Sequence, residues 1–177
     1  MSQASNHVKW CLNKAKKEIE ECKKVGKREE HRGLIKKSPD LEEAKKHLLK
    51  AEHNLKAIKT FNDTGFSDWS INAGFYCIYQ CFLGIAIKFG YESGNQECTI
   101  SLIEWLNEDK KINIDNRFIE LLKHENLKDI EINKIIDMRE EYTYGVKTSV
   151  EDDNKINELL ELCKICLDQT KNIIFKE

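Results

Sequence analysis

The sequence predicts an all-α helical bundle, and three observations carry that expectation. The 177 residues contain one proline and eight glycines, so few positions break a helix. Apolar residues recur at three- and four-residue steps in one segment after another, the period of an α-helix. Hydrophobic residues make up 40% and charged residues 34%, the balance of a chain with a buried core and solvated helix faces. The length suits a single domain spanning 1–177.

The first helix is expected over about residues 5–25. Val8, Cys11, Leu12, Ala15, Ile19 and Cys22 form its apolar stripe, and Gly26 ends it. A charged connector follows over 27–37. Its run Lys27-Arg28-Glu29-Glu30-His31-Arg32 offers groups for phosphate binding or acid–base work, although a solvated loop explains it more simply. Ser38-Pro39-Asp40 opens the second helix, with Ser38 as N-cap and Pro39 at the first helical position. Leu41, Ala44, Leu48, Ala51, Leu55 and Ile58 form its stripe, and a turn is expected at 62–65.

The third helix starts near Ser67 or Asp68 and runs to about Phe89. It is apolar nearly all round, which suits the middle of a bundle. The uninterrupted run Ala73–Ile87 is short for a bilayer and holds Gln80, so no membrane span is expected. A loop with two glycines covers 90–96. Two shorter helices follow, one with Ile100, Leu102, Ile103, Trp105 and Leu106, the other with Phe118, Ile119, Leu121 and Leu122. Ile130 to Met138 leads into a polar segment, and the last helix is expected over about Val150–Ile174.

The net charge is -2, so no global positive field draws in nucleic acid, and RNA binding would need a local patch. The seven cysteines are odd in number, and the N-terminus lacks an apolar signal core. Reduced thiols in a cytoplasmic protein are therefore expected. Cys163-Lys164-Ile165-Cys166 and the Cys77/Cys81 pair lie on or beside apolar stripes, so they read as small core residues and no metal is expected. The five histidines form no H-E-x-x-H, and no Gly-rich phosphate loop is present. Nothing calls for a cofactor. Arg117 and His124 share a helix face two turns apart and form a minor candidate pair.

The segment Met138-Arg139-Glu140-Glu141-Tyr142-Thr143-Tyr144-Gly145 is the most informative. Arginine is scarce here: only Arg28, Arg32, Arg117 and Arg139 stand against a large excess of lysine. A guanidinium grips phosphate with two parallel hydrogen bonds, which an ammonium cannot do. Arg139 is therefore a phosphate-contact candidate, and an ion pair with Glu140, Glu141 or another surface acid is the alternative.

Three stretches together resemble the HEPN domain family. Lys50-Ala51-Glu52-His53-Asn54-Leu55-Lys56-Ala57 resembles the early HEPN helix. Residues 73–82, Ala-Gly-Phe-Tyr-Cys-Ile-Tyr-Gln-Cys-Phe, resemble the central tyrosine-rich helix. Arg139 to Gly145 resembles the Arg-x-x-x-x-Tyr-Gly segment before the last helix. The resemblance covers about 38–175 and leaves residues 5–25 as an added helix. It implies an antiparallel up-and-down bundle, a homodimer, and kinship with metal-independent ribonucleases or toxins. It also implies a toxin–antitoxin setting with a minimal nucleotidyltransferase as partner.

The family's catalytic pair is Arg-x(4–6)-His. Here the positions five to seven beyond Arg139 are Tyr144, Gly145 and Val146, so the histidine is absent. A phenol, with its pKa near 10, is a poor base at neutral pH. Three routes stay open: binding without cleavage, a histidine (His31, His53 or His124) arriving from elsewhere in the fold, or Tyr142 or Tyr144 as a target of the partner transferase. The resemblance makes Arg139 and Tyr144 the candidate catalytic pair. Arg139, Tyr142, Tyr144 and Tyr79 are the candidate nucleotide- or RNA-binding residues, and a non-catalytic module whose apolar helix faces serve dimerisation or partner docking is the remaining alternative.

Overall fold

The computed structural model of the chain describes residues 2–123, 135–150 and 152–176. Helices dominate it, as expected. In order they are α1 (Gln3–Lys24), α2 (Leu41–Asp63), α3 (Ser67–Lys88), α4 (Gln96–Glu108), α5 (Asn116–Leu122), α6 (Ile135–Tyr144) and α7 (Asp153–Phe175). Two short strands, β1 (Leu34–Lys36) and β2 (Tyr91–Ser93), pair antiparallel. They correct the reading of the connector and of the 90–96 loop as unstructured. Three residues per strand are too few to show an alternating pattern in sequence.

Short polar side chains cap most helices. Ser2, Asp40, Asn95, Asp115 and Asp152 each accept a backbone N–H at the start of α1, α2, α4, α5 and α7. The N-cap of α2 is thus Asp40, which accepts from Glu43 at 2.9 Å. Ser38 and Pro39 lie before it, so the helix starts two positions later than expected, because the carboxylate of Asp40 serves as the better acceptor at the positive helix end. α1 stops at Lys24, and Gly26 follows in the left-handed region at φ 65°.

α2 and α3 form an antiparallel hairpin. Ser70 Oγ donates to the Ile58 carbonyl at 2.8 Å, and His47 Nδ1 lies 2.7 Å from Gln80 Oε1. α7 packs on both, with Lys171 pairing with Glu52 at 2.8 Å. Phe75, Phe82, Phe118, Ile58 and Ile78 are among the largest fully buried side chains. Each such side chain stabilises the fold by roughly 1.5–3 kcal/mol. α3, the apolar helix, meets α2, α4, α6 and α7, which accounts for its missing polar face. By length and composition it is the one described helix that passes as a membrane span, but about two thirds of it is buried inside the protein.

α1 packs on α4 and β1, and its Val8 and Cys11 join the hydrophobic core. A disulfide between Cys11 and Cys98 fastens it to α4. This overturns the expectation that every cysteine is a reduced thiol, so cysteine state no longer argues for a reducing compartment. The partners are 87 residues apart, and each sits on an apolar stripe that reads equally well as plain core.

Candidate functional site around Arg139

The site is built where α6 crosses α3. Ile135 is buried, and Met138 and Tyr142 pack against the core, so one face of α6 is anchored. Arg139 follows Met138 around the helix and lies over the rings of α3. Its Cζ is 4.4 Å from the centroid of Phe75 and 5.5 Å from that of Tyr76. Phe75 is 1% exposed and Tyr76 is 42% exposed. The guanidinium therefore has one buried aromatic neighbour and one that reaches solvent. One turn along, Thr143 Oγ1 lies 2.8 Å from Oδ1 of the buried Asn72 and fixes the register of α6 on α3.

The arginine's hydrogen bonding is incomplete. Its Nε is buried and has no hydrogen-bond partner among the described residues. Among the described residues, no carboxylate lies within ion-pair distance of it. Glu141 instead pairs with Lys147 at 2.5 Å. The ion pair weighed above is thus replaced by aromatic stacking. An unsatisfied buried donor costs about 1–3 kcal/mol, and a partly desolvated cation–π contact returns about 0.5–2 kcal/mol. The two nearly cancel, so Arg139 is a weak element of stability for a residue so placed.

The three tyrosines fall differently. Tyr79 belongs to the same ring stack, its centroid 6.1 Å from Phe75. Its hydroxyl, however, is turned to Thr99 Oγ1 at 3.3 Å, and burial pushes the phenol up, which makes it a still poorer base. Tyr142 is half-buried against the core. Tyr144 is 77% exposed at the end of α6, five positions beyond Arg139 and so turned well away from it.

No described histidine touches Arg139. His7 bonds Ser101 at 2.8 Å, His31 faces Glu92 at 3.5 Å, His47 bonds Gln80, and His53 is exposed on α2. His124 lies outside the described residues. Arg117 of the minor pair is spoken for: its NH2 is 2.8 Å and its Nε 2.9 Å from Asp115 Oδ2. The charged connector borders a cleft of about 660 Å³ with Glu18, Glu21, Cys22, His31, Arg32 and Glu92 on its wall. Lys37 and His31 hold the Glu92 carboxyl below its usual range, and the acid-rich wall disfavours phosphate. Among the described residues, no group of three or more His, Cys, Asp or Glu side chains suits a metal ion.

A cavity of about 360 Å³ lies beside the site, with Ile71, Leu121, Met138 and Leu159 in its wall and Arg117 and Lys155 also lining it. Arg139 does not line it and lies half-buried on the α3–α6 seam. Sequence reasoning missed Phe75 and Tyr76 as the seat of Arg139. The available signal was an aromatic pair inside a helix otherwise read as all core.

Neither a protein-family model nor a curated protein matches the chain.

Proposed function

We propose that the protein binds RNA or nucleotide phosphate at the α3–α6 seam, with Arg139 as the phosphate contact. The observation that carries this reading is a half-buried guanidinium stacked on Phe75 and Tyr76 with no carboxylate against it among the described residues. A stacked guanidinium is already oriented, so less side-chain entropy is lost when phosphate binds. Tyr76 is partly exposed beside it, and Trp69, two turns earlier on the same face of α3, is 52% exposed. Exposed rings next to a cation offer stacking platforms for unpaired bases. The resemblance to HEPN domains points the same way.

The same reading makes the protein a homodimer and a toxin-like component, with a minimal nucleotidyltransferase as partner. The exposed phenol of Tyr144 is then available for modification by that partner. Binding without cleavage is preferred to ribonuclease activity, because the described histidines are engaged or placed elsewhere and Tyr144 is turned away from Arg139. The test is incubation with labelled total RNA in EDTA, beside Arg139→Ala. The expected result is retention of intact RNA by the wild type and its loss in the variant. Equal retention by both proteins removes Arg139 from the site. Cleavage by the wild type alone would replace binding with metal-independent ribonuclease activity.

A further inference from the structure

Three helices of the bundle end around one cleft. α3 ends at Lys88, α4 at Glu108 and α7 at Phe175, and residues at and just beyond these ends wall a space of about 760 Å³. Lys88, Lys110, Lys111 and Lys176 line it. Lys111 is occupied, by Asp109 at 2.9 Å and by the Trp105 ring, whose centroid is 4.4 Å from its ammonium. Lys88, Lys110 and Lys176 form no ion pair among the described residues. Asp115 is the acid in the wall, and Arg117 holds it at 2.8 Å. Gln169 uses its carbonyl oxygen on the Asp115 N–H at 2.9 Å, which leaves its amide N–H groups as donors.

A lysine at a helix C-terminus ordinarily offsets the negative end of the dipole. That role does not use up the charge here. Each helix end carries about half a negative charge, against a whole positive charge on each of the three unpaired lysines. Carbonyls at these ends are also occupied: Ile87 accepts from Gly90 at 3.0 Å, Leu106 from Lys111 at 2.9 Å and Asn172 from Lys176 at 3.1 Å. Lys110 supplies a second observation. It closes α4 in the left-handed region at φ 56°, and among the described residues it is the one non-glycine there. Its N–H meets the Asn107 carbonyl at 3.1 Å, a closing pattern in which glycine is the usual residue. A lysine there strains the backbone and puts an ammonium on the cleft wall, which a plain turn does not need.

We propose that this cleft binds a condensed phosphate chain, such as pyrophosphate or tripolyphosphate. A chain of this kind accepts hydrogen bonds on every face and, fully ionised, donates none. The wall matches it, with ammonium groups from three separate segments and amide N–H groups from Asn113, Gln169 and Asn172. An acidic peptide would bring backbone N–H donors, and the wall has few free acceptors for them. A single orthophosphate is too small to meet lysines from all three segments in a space of this size. Lysine acts as a point charge without the fixed fork of arginine, so it suits a flexible chain of charges. The site is separate from the α3–α6 seam, because neither Arg139 nor Tyr76 lines it. The proposal stands whether or not the seam binds RNA.

The experiment is calorimetric titration of the full chain with sodium tripolyphosphate at low and physiological salt. The expected result is one-to-one binding that weakens as salt is raised. Lys110→Gly is expected to lose about tenfold in affinity, the worth of one hydrogen bond to a charged group, while its unfolding temperature stays level or rises. A lysine that served only the turn would leave the affinity unchanged. Lys88→Gln and Lys176→Gln are expected to lose affinity as well, and they keep the test open if the glycine variant fails to fold. Lys59→Gln, whose lysine pairs with Asp63 at the end of α2, and Arg139→Ala are expected to bind as the wild type does. ATP, which carries the same chain on a nucleoside, is expected to match tripolyphosphate, and orthophosphate to bind far more weakly. No binding of tripolyphosphate by the wild type, or equal binding by the wild type and the three cleft variants, overturns the proposal. So does a loss confined to Arg139→Ala, which would place the phosphate at the seam. Tighter binding of a poly-glutamate peptide than of tripolyphosphate would assign the cleft to acidic peptides and also overturn it.

Discussion

Two arginines show what this fold does with a guanidinium. Arg117, at the start of α5, lies in the open against Asp115, which also caps the helix. Arg139, on α6, is half-buried on Phe75 and Tyr76, with no carboxylate against it among the described residues. The first is neutralised by its neighbour. The second is oriented by rings that contribute no charge. The lesson is that scarcity of arginine did not mark the site. The company each arginine keeps does.

The largest effect expected from disturbing this contrast is at the seat itself. Phe75→Ala removes a ring that is 1% exposed and is expected to cost about 3–5 kcal/mol of stability, measured by urea unfolding. Phe75→Leu keeps most of the volume and separates stability from the lost cation–π contact. A cost near zero for Phe75→Ala would mean that the seam is not packed as described.

Next comes the charge. Arg139→Ala is expected to weaken RNA binding by about 1.5–3 kcal/mol, the range of a hydrogen bond to a charged group, with little loss of stability because the unpaired Nε no longer needs solvation. Arg117→Ala should leave binding within twofold. Isothermal titration of both variants checks the contrast, and equal losses would erase it. Arg139→Lys is expected to fall between wild type and alanine, since an ammonium keeps the charge but loses the two-pronged contact.

The smallest effect concerns pH. The side-chain hydrogen bond from Arg117 holds the Asp115 carboxyl below its usual value. A depressed carboxylate contributes stability that is fully present above its unfolded pKa and is lost as pH falls through the folded one. The loss should therefore begin below about pH 4. Because the Arg117 side chain is 55% exposed, it should be small, as for most surface pairs. Unfolding midpoints for wild type and Asp115→Asn should converge as the solution is acidified. A gap that widens in acid would contradict the assignment.

Much of the fold was legible in sequence. The stripes Val8–Cys22 and Leu41–Ile58 gave α1 and α2 nearly to their ends, and the apolar girth of Ser67–Lys88 marked it as the central helix. What escaped was decided by tertiary contact. The Cys11–Cys98 bond joins stripes that look like ordinary core, and the β1–β2 pair is too short for a periodic signal. For the site, Arg139 was legible as an unusual residue, but its partners were not. Phe75 and Tyr76 stand far from it in sequence, and nothing local tells which face of α3 receives α6. Tyr79 was named through the resemblance of the central helix; it shares the ring stack with Phe75, but its hydroxyl serves Thr99.

The most direct test of the account is fluorescence anisotropy of a labelled, unstructured single-stranded RNA, titrated with wild type, Arg139→Ala and Arg117→Ala at low and physiological salt. The account expects wild type and Arg117→Ala to bind alike, and Arg139→Ala to lose at least about tenfold, which corresponds to about 1.4 kcal/mol. The salt slope should also be shallower in that variant, because one phosphate contact is gone. Binding by all three proteins with the same affinity and slope, or by none of them, would contradict it.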